Sequence, residues 1–235
     1  MTRKHPDPAE FDRYAGDYDS LLRDPIRDRF ASEKIFFVER KLDIILRFLR
    51  ARNIDTHTMT WLDVGCGRGE LLRLGAPHFR RVSGCDPSVR MLEACRDLDV
   101  CHQPSMNALP FSDESFDLIS VVCVYHHVAE AERATLTAEL VRALRPGGIL
   151  CVIEHNPFNP VTRIIVSRTP VDADARLLVP SLTRRLLSSA GLQPIATRYF
   201  LLLPERLFKP FAIVEHALRA VPVAGQYAAF AQRSR

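Results

Sequence analysis

Short apolar runs alternate with longer amphipathic stretches through the middle of the chain. Five runs rich in apolar and β-branched residues predict the strands Thr60–Val64, Arg81–Cys85, Val100–His102, Phe116–Val124 and Ile149–Glu154. The stretches between them have apolar residues at helical spacing and predict the helices Glu70–Leu74, Ser88–Leu98 and Ala129–Leu144. Strands that alternate with helices in this way predict an α/β fold, in which helices cover both faces of a parallel sheet.

The two ends of the chain depart from this alternation. Arg29–Arg52 has apolar residues at helical spacing, which predicts one long amphipathic helix. Near the C-terminus, "PSLTRRLLSSAGL" predicts a short helix, and "QPIATRYFLLL" and "AGQYAAFAQR" predict two late strands. We interpret the chain as a single domain with a helical N-terminal cover (1–55), a core (56–154) and a C-terminal insertion that carries the last strands (155–235).

Composition and charge exclude several classes of protein. Hydrophobic residues make up 47% of the 235 positions and charged residues 26%, which is typical of a soluble enzyme and excludes disorder. The net charge of +4 comes from 32 bases interleaved with 28 acids, whereas a nucleic-acid groove would cluster its bases. The sequence has no signal-peptide core and no apolar run near the roughly 20 residues that cross a bilayer. We therefore expect a cytoplasmic protein with no nucleic-acid partner, whose oligomeric state the sequence leaves open.

The six cysteines indicate a reducing compartment and no metal centre. No two of them form a C-x-x-C pair, and most lie within apolar runs: Cys66, Cys85, Cys95, Cys101, Cys123 and Cys151. We interpret them as small buried apolar residues and expect no disulfide framework and no metal.

The stretch "TWLDVGCGRGELL" (Thr60–Leu72) joins a predicted strand to a predicted helix through three glycines. This arrangement receives nucleotide-like ligands at the edge of an α/β sheet. A phosphate-binding P-loop would need a lysine after the glycines, and none is there. The spacing G-x-G-x-G also differs from the G-x-G-x-x-G of dinucleotide-binding folds.

Two carboxylates narrow the choice of ligand. Asp63 stands at the end of the strand before the glycines, where it would repel a pyrophosphate but attract a cationic ligand. S-adenosylmethionine carries a sulfonium and an α-amino group, so it fits better than NAD. Asp86 follows Gly65 by 21 residues, the spacing at which a carboxylate meets ribose hydroxyls in either ligand.

Four motifs together resemble those of class I S-adenosylmethionine-dependent methyltransferases. In order, they are "LDVGCGRG" (Leu62–Gly69), "GCDPSVRML" (Gly84–Leu92), "SMNALPFSDESFDLISVVCVYHHV" (Ser105–Val128) and "LRPGGIL" (Leu144–Leu150). The resemblance is strongest to the small-molecule branch that includes ubiquinone- and menaquinone-biosynthesis enzymes. It implies a Rossmann-like, doubly wound sheet of seven strands with the last strand antiparallel, and S-adenosylmethionine as the cofactor.

The resemblance also implies which residues bind the donor. Asp63, Gly65 and Gly67 would face its methionine part, and Asp86 its ribose. The remaining donor-binding candidates are Tyr14, Tyr18, Cys66, Pro87, Met91, Ser105, Met106, Asn107 and Val124. The family often has an acid where this chain has Ser105, which would weaken the contact with the adenine amino group. For the two tyrosines, simple packing of an N-terminal helix is an equal alternative.

The candidates for the acceptor side follow the fourth and fifth strands. A hydroxyl acceptor must lose its proton during methyl transfer, and histidine is the residue whose pKa best suits a base near neutral pH. The catalytic candidates are His126, His127, Glu154 and His155, with His127 slightly preferred as the base. Asn156 and Arg163 are the candidates for binding the acceptor. For each histidine, packing or a hydrogen bond to the backbone is the alternative.

These features predict a methyltransferase that acts on a small molecule, most simply at oxygen and next at carbon. The apolar stretch "FLLLPERLFKPFAIVEHAL" leaves two rivals open: a polyprenyl or lipid-linked acceptor, and contact with a membrane surface. Ordinary cover for the late strands is the favoured interpretation of that stretch. A protein that binds the donor without transferring its methyl group is the rival from another class. "NPF" (Asn156–Phe158) resembles a motif of amino-methylating DNA enzymes but follows the wrong strand, so we take it as coincidence.

Overall fold

The computed structural model describes residues 10–105 and 108–235 and contains a seven-stranded mixed sheet. Its strands are β1 (Thr60–Val64), β2 (Arg81–Asp86), β3 (Val100–His102), β4 (Phe116–Val122), β5 (Leu144–His155), β6 (Leu192–Phe200) and β7 (Gln226–Arg233). The spatial order is β3-β2-β1-β4-β5-β7-β6. Strands β1 to β5 are mutually parallel, whereas β7 runs antiparallel to both β5 and β6. The predicted seven-stranded α/β fold with an antiparallel last strand is confirmed.

Helices precede the sheet, connect its strands and cover both its faces. They are α1 (Glu10–Tyr14), α2 (Tyr18–Leu21), α3 (Pro25–Phe30), α4 (Lys34–Arg50), α5 (Glu70–Gly75), α6 (Val89–Leu92), α7 (Glu130–Ala143), α8 (Pro160–Arg168), α9 (Pro180–Ser189) and α10 (Glu205–Ala217).

One apolar cluster lies on each face of the sheet. Trp61 and Leu118 belong to one cluster, in which Phe48 of α4 stacks on Phe230 of β7 with ring centroids 3.8 Å apart. Leu62 and Leu136 belong to the other, beneath α7 and α9. All five residues of β1 are buried, as a strand covered on both faces requires.

The predicted helix Arg29–Arg52 is wrong as a single element, because the structure divides it into α3 and α4. Ala31 has extended backbone angles (φ −144°, ψ 135°). The backbone N–H and the hydroxyl of Ser32 both donate to the carboxylate of Glu205, each at 2.8 Å. Apolar spacing could not reveal this break, because the contact that accompanies it is made with α10, more than 170 residues later.

Other predicted boundaries also moved: strand β5, for example, begins at Leu144 rather than at the predicted Ile149. The predicted helix Ser88–Leu98 has only one α-helical turn, α6, followed by a 3₁₀ turn at Glu93–Cys95. Strand β4 ends at Val122, because Cys123 adopts the left-handed conformation (φ +57°). This turn after β4 introduces the segment that carries the paired histidines.

The parallel strands expose their carboxyl ends at one edge of the sheet, where β1 and β4 are neighbours. The chain leaves β1 toward β2 on one side and later returns to β4 on the other, which makes this the switch point of the fold. Ligands of open α/β sheets bind at this position. Within residues 10–105 and 108–235, no helix combines the length and the hydropathy needed to cross a bilayer.

Candidate functional site

A cavity of about 820 Å³ opens at the carboxyl edge of the strands. The loops after β1, β2 and β3 form one half of its wall, which we call the donor half. The turns after β4 and β5, parts of α3, α4 and α8, and the segment between β6 and α10 form the other half, which we call the acceptor half.

The glycine loop of the donor half has the backbone that its sequence predicts. Gly65, Gly67 and Gly69 have φ values of +73°, +54° and +74°, in the region where side chains are disfavoured. A Cβ atom on Gly65 would lie 2.4 Å from the side chain of Val124. Gly65 is therefore required both by its backbone conformation and by the close approach of the turn after β4.

Asp86 joins the glycine loop to the end of β2. Its carboxylate accepts hydrogen bonds from the backbone N–H groups of Gly67 and Ser88, both at 2.8 Å. Burial raises the pKa of this carboxyl group, and only 7% of the residue is exposed. A carboxylate has about four acceptor positions, so Asp86 retains capacity for two ribose hydroxyls.

Asp63 ends a buried chain of hydrogen bonds behind the glycine loop. The indole N–H of Trp61 donates to the hydroxyl oxygen of Ser120 at 2.8 Å, and that hydroxyl donates to Asp63 at 2.5 Å. Burial raises the pKa of Asp63 to about 7. A cationic group in the cavity would favour the ionised carboxylate, which matches the ammonium group of the predicted donor.

Most of the other predicted donor-binding residues also line the cavity: Tyr18, Cys66, Pro87, Met91, Ser105 and Val124. Tyr14 is not part of the cavity wall. Its ring packs edge-to-face against Phe11, which does line the cavity. Met106 and Asn107 lie outside the described residues.

Three histidines and two carboxylates meet where the two halves join. Nδ1 of His126 lies 2.5 Å from the carboxylate of Glu154, and both side chains are buried. Oδ1 of Asp172 lies 3.5 Å from Nε2 of His126 and 3.4 Å from Nε2 of His127. The ring of His155 is 5.2 Å from that of His126. The five residues come from three separate stretches of the chain, which the ends of β4 and β5 and the turn after α8 bring together.

The environment sets the charge of each group in this cluster. Burial alone would lower the pKa of His126, but the carboxylates of Glu154 and Asp172 outweigh it and raise that pKa well above its ordinary value. Burial and the neighbouring His126 lower the pKa of His127, and they lower that of His155 to about 4. Burial opposes the ionisation of Glu154 and Asp172, but the histidines overcome it and lower both pKa values. Without a ligand, His126 is therefore the cationic histidine, and His127 and His155 are neutral imidazoles on the cavity wall.

Two predicted acceptor-binding residues lie away from the cavity wall. Asn156 is fully buried, and its amide donates to the carbonyl oxygens of Pro222 and Ala224, so it holds the segment before β7 in place. Arg163 is exposed on α8 and does not line the cavity. The predictions for these two residues are corrected accordingly: α8 turns a different set of side chains toward the cavity.

Several residues of the wall were missed by the sequence analysis. Asp172 lies in a polar, proline-containing stretch with no recognisable spacing to the histidines. Gln103 is fully buried beside the donor half, where its amide donates to the Ser105 carbonyl oxygen at 3.0 Å. In the sequence, Lys41 is simply one of the polar positions of the predicted amphipathic helix Arg29–Arg52. Only the packing of distant segments could identify Asp172 and Lys41, whereas Gln103 directly follows the predicted strand Val100–His102.

Most of the remaining wall of the acceptor half is apolar, although the polar and basic residues Arg27, Lys41, Thr162, Thr169 and Gln226 also line it. Its wall includes side chains from the N-terminal helices, α8 and the segment after β6: Phe30, Phe37, Val38, Val161, Ile165, Val166, Val171, Leu201 and Leu202. The acceptor half therefore combines a broad apolar wall with a few polar groups, an arrangement typical of sites for small, largely apolar molecules.

The model of a family described as "Methyltransferase domain" matches residues 62–152, which include β1, β2, the histidine turn and most of β5. A tRNA (carboxymethyluridine(34)-5-O)-methyltransferase from Arabidopsis thaliana is 32% identical over 115 residues, covering 48% of this chain and 28% of that protein. A 2-methyl-6-phytyl-1,4-hydroquinone methyltransferase from Synechocystis is 29% identical over 166 residues, covering 62% of this chain and 52% of that protein.

The fold is similar to that of solved structures along most of its length. An S-adenosylmethionine-dependent methyltransferase from Thermotoga maritima superposes with a TM-score of 0.67 at 18% identity, covering 95% of this chain and 98% of the other. The chain spans about half or less of the length of the two curated relatives described above. The donor half nevertheless supplies the groups that the cofactor needs: buried carboxylates for its cationic and hydroxyl groups and a glycine loop beside them. Residues 62–152 thus match a methyltransferase domain, and S-adenosylmethionine is the cofactor that this domain and its fold imply.

Proposed function

We propose that this protein transfers the methyl group of S-adenosylmethionine to an oxygen atom of a small, largely apolar molecule, such as a hydroxylated aromatic ring. The observation that carries the proposal is the make-up of the acceptor half, where a largely apolar wall surrounds a cluster of imidazoles and carboxylates. An apolar molecule would bury its surface against the wall and turn its one polar group toward the histidines.

The proposed reaction is a displacement at the methyl carbon. The acceptor oxygen forms a bond to that carbon while the carbon–sulfur bond breaks, and its electron pair passes to sulfur, leaving S-adenosylhomocysteine. The hydroxyl proton of the acceptor passes to an imidazole. Alignment of the reacting groups can contribute up to about 7–11 kcal/mol, and a well-placed base about 10²–10⁴-fold in rate.

The residues of the cluster divide the work in this proposal. His127 and His155 are neutral imidazoles on the wall, so either can accept the proton of the acceptor. Glu154 acts as a positioning residue: it holds His126 and also accepts the N–H of Tyr125 at 2.8 Å. Asp63 and Asp86 hold the donor on the opposite side.

A lipid-linked acceptor extends the same proposal. The apolar wall continues through Leu201 and Leu202 toward Pro204, which precedes α10, so a hydrocarbon tail could follow it. One relative is named for a phytyl-substituted hydroquinone, which has such a tail. An RNA acceptor is the second candidate, because another relative is a tRNA methyltransferase, 32% identical over its matched part. A donor-binding protein without transferase activity would not need the histidine cluster.

The test combines an acceptor screen with a matched pair of variants. The purified chain is incubated with methyl-labelled S-adenosylmethionine and a series of catechols and hydroquinones with alkyl tails of increasing length, with total tRNA in a parallel reaction. Ile165 lines the cavity, whereas its neighbour Ile164 is 41% exposed and does not. We expect Ile165→Glu to raise KM for the small acceptors at least about 10-fold, because it places a charge against an apolar ligand.

Ile164→Glu should leave KM unchanged, and both variants should bind S-adenosylhomocysteine as the wild type does. Label transferred only to tRNA would contradict the small-molecule proposal. If neither set of acceptors is methylated and donor binding is intact, the interpretation as a donor-binding protein without transfer is favoured.

A further inference from the structure

The cluster at the junction of the two halves contains a group of side chains that points to a second ligand. We propose that His126, His127 and Asp172 bind a divalent first-row transition-metal ion beside the methyl donor. The sequence analysis expected no metal, because it considered only the spacing of cysteines and could not place Asp172 next to the histidines.

The distances between the ligand atoms fit a bound ion. One ring nitrogen of His126, one of His127 and a carboxylate oxygen of Asp172 lie within 4.8 Å of one another, and Oδ1 of Asp172 is 3.5 and 3.4 Å from Nε2 of the two histidines. A tetrahedral ion with ligand bonds of about 2.1 Å separates its ligand atoms by ~3.4 Å. The two measured separations are too long for strong hydrogen bonds but match the edges of such a tetrahedron.

The orientation of His126 supports the same conclusion. Its Nδ1 is held by Glu154, which is itself held by the N–H of Tyr125. Its Nε2 is buried and has no hydrogen-bond partner among the described residues. Histidines that bind metal ions commonly donate their other ring N–H to a carboxylate, which fixes the ring and its tautomer. Glu154 supplies that second carboxylate here.

The ligand types indicate which ions fit. Two imidazoles and one carboxylate suit Zn²⁺, Fe²⁺ and Co²⁺, whereas Mg²⁺ and Ca²⁺ prefer oxygen ligands throughout. Three protein ligands leave a fourth position open, as in catalytic zinc sites. All three residues line the cavity, so that position can face the acceptor.

A proton is the alternative occupant of this site, because His126 between Glu154 and Asp172 is cationic without a ligand. A metal ion would replace the proton on Nε2 of His126 and would bind the His127 ring as well. The two occupants can be distinguished by measurement. Only the ion requires both His127 and Asp172 as ligands, and Co²⁺ at the site gives a visible absorption spectrum that a proton does not.

The role of the ion rests on the proposed function, whereas its binding does not. Coordinated to the acceptor oxygen, the ion would lower the pKa of the hydroxyl group. The hydroxyl proton would pass to His155, which lies outside the ligand set, and the oxygen would then attack the methyl carbon. His126 and His127 would hold the ion rather than accept the proton.

The test measures Co²⁺ binding to the whole chain without donor or acceptor. The protein is treated with a chelator, dialysed and titrated with Co²⁺, and the visible absorption of the bound ion is recorded. We expect one equivalent to bind with the spectrum of a four-coordinate nitrogen and oxygen site. Asp172→Asn and His127→Gln should each raise Kd at least about 100-fold, and Glu154→Gln about 10–100-fold.

Asp174→Asn is the matched control, because Asp174 is exposed and only two residues from Asp172. It should bind Co²⁺ as the wild type does, and S-adenosylhomocysteine binding by every variant verifies folding. Three results would overturn the site: no stoichiometric binding by the wild type, unchanged binding by Asp172→Asn and His127→Gln, or a sulfur-to-cobalt charge-transfer band that places the ion on cysteines. If Co²⁺ binds as expected but chelation leaves the rate of methyl transfer unchanged, the metal site stands and its role in activating the acceptor is wrong.

Discussion

The two halves of the cavity are assembled in different ways. The donor half takes its polar groups from a short part of the chain, between Asp63 and Ser105, at the ends of three adjacent strands. The acceptor half gathers residues as far apart as Phe30 and Leu202. A ligand shared by many enzymes can be held by a local motif, whereas an individual acceptor needs a wall built from distant segments.

The halves also differ in what their charges do. In the donor half, Asp63 and Asp86 are buried with raised pKa values, and no basic side chain among residues 10–105 and 108–235 is hydrogen-bonded to them. A cationic ligand would therefore stabilise their ionised forms. In the acceptor half, Glu154 and Asp172 are already paired with histidines, and their pKa values are lowered. The carboxylates of the donor half are therefore available to a cationic ligand, whereas those of the acceptor half already hold histidine side chains in position. The following predictions test this difference, from the largest expected effect to the smallest.

Removal of the cavity-facing imidazoles should affect the reaction but not donor binding. The double variant His127→Ala, His155→Ala should lower kcat about 10²–10⁴-fold, because neither neutral imidazole remains to take the proton of the acceptor. Calorimetry should show unchanged affinity for S-adenosylhomocysteine, and the exposed His57→Ala is the control. Near-normal turnover by His127→Ala and His126→Ala as single variants would exclude both residues as the base.

Asp86→Ala should instead affect donor binding. We expect its affinity for S-adenosylhomocysteine to fall about 100-fold, because the ribose hydroxyls lose charge-assisted hydrogen bonds and two backbone N–H groups lose their acceptor. Calorimetry with NADH on the wild type should give no binding. Asp97→Ala, an exposed carboxylate on the same side of the fold, is the control. Binding of NADH, or unchanged affinity in Asp86→Ala, would contradict the assignment of the donor half.

Gly65→Ala tests the close contact between the halves. Gly65 and Gly191 both have positive φ, at +73° and +85°, so alanine at either position costs about 1–2 kcal/mol of stability. Only at Gly65 would the new Cβ meet another side chain, 2.4 Å from Val124, whereas nothing lies within 4 Å at Gly191. Urea unfolding should show a larger loss for Gly65→Ala, accompanied by weaker donor binding. Equal losses would mean that the turn after β4 adjusts freely.

Asp63→Asn should give a stability that depends on pH. The carboxyl group titrates near 3.9 in an unfolded chain but near 7 in the folded protein. Between these values the folded state holds the proton more tightly, so stability falls as pH rises through this range and stays low above it. Asparagine cannot ionise, so the variant should be more stable than the wild type at pH 8 by a few kcal/mol at most (~1–4), but not at pH 4.

Asp99→Asn is the control of opposite sign, because the hydroxyl of Ser83 lowers the pKa of Asp99. It should not stabilise the protein at pH 8. Thermal unfolding at the two pH values measures both variants, and binding of S-adenosylmethionine should weaken in Asp63→Asn. Equal stability of Asp63→Asn and the wild type at pH 8 would show that burial does not raise the pKa of Asp63.

Arg163→Gln should have the smallest effect. Arg163 is exposed on α8 and does not line the cavity, so kcat/KM for any acceptor should change by less than about 2-fold. Steady-state kinetics beside Ile165→Glu provides the comparison on the same helix. A large rise in KM in Arg163→Gln would mean that the helix turns toward the acceptor during catalysis.

Much of the fold could be predicted from local pattern. Strands β1 and β3 have the predicted bounds, and β2 differs by one residue, because apolar runs of this length are typical of buried parallel strands. The glycine loop and the two carboxylates on either side of it, Asp63 and Asp86, could also be identified. Their spacing in the sequence follows from the lengths of one strand, the connection after it and the next strand. The break between α3 and α4 could not be predicted in this way, because the hydrogen bonds of Ser32 at the break are made to Glu205, which is distant in the sequence.

The acceptor half shows the same division. The sequence indicated His126, His127 and His155, because each follows the end of a predicted strand. It did not indicate Asp172, which approaches them only when α8 and the turn that follows are packed. Asn156 illustrates the reverse: the position at a strand end was right, but its amide is used by the backbone before β7.

The sequence by itself determined the α/β sheet, the glycine loop and the two carboxylates that line the donor half of the cavity. Those features depend on neighbours within one strand–turn–helix unit, where spacing and backbone conformation are local. The tertiary structure decided which carboxylate meets the histidines, which side chains form the apolar wall and which polar residues are used for structure alone. Those choices depend on contacts between segments separated by tens to hundreds of residues, and no local pattern specifies the partner of such a contact.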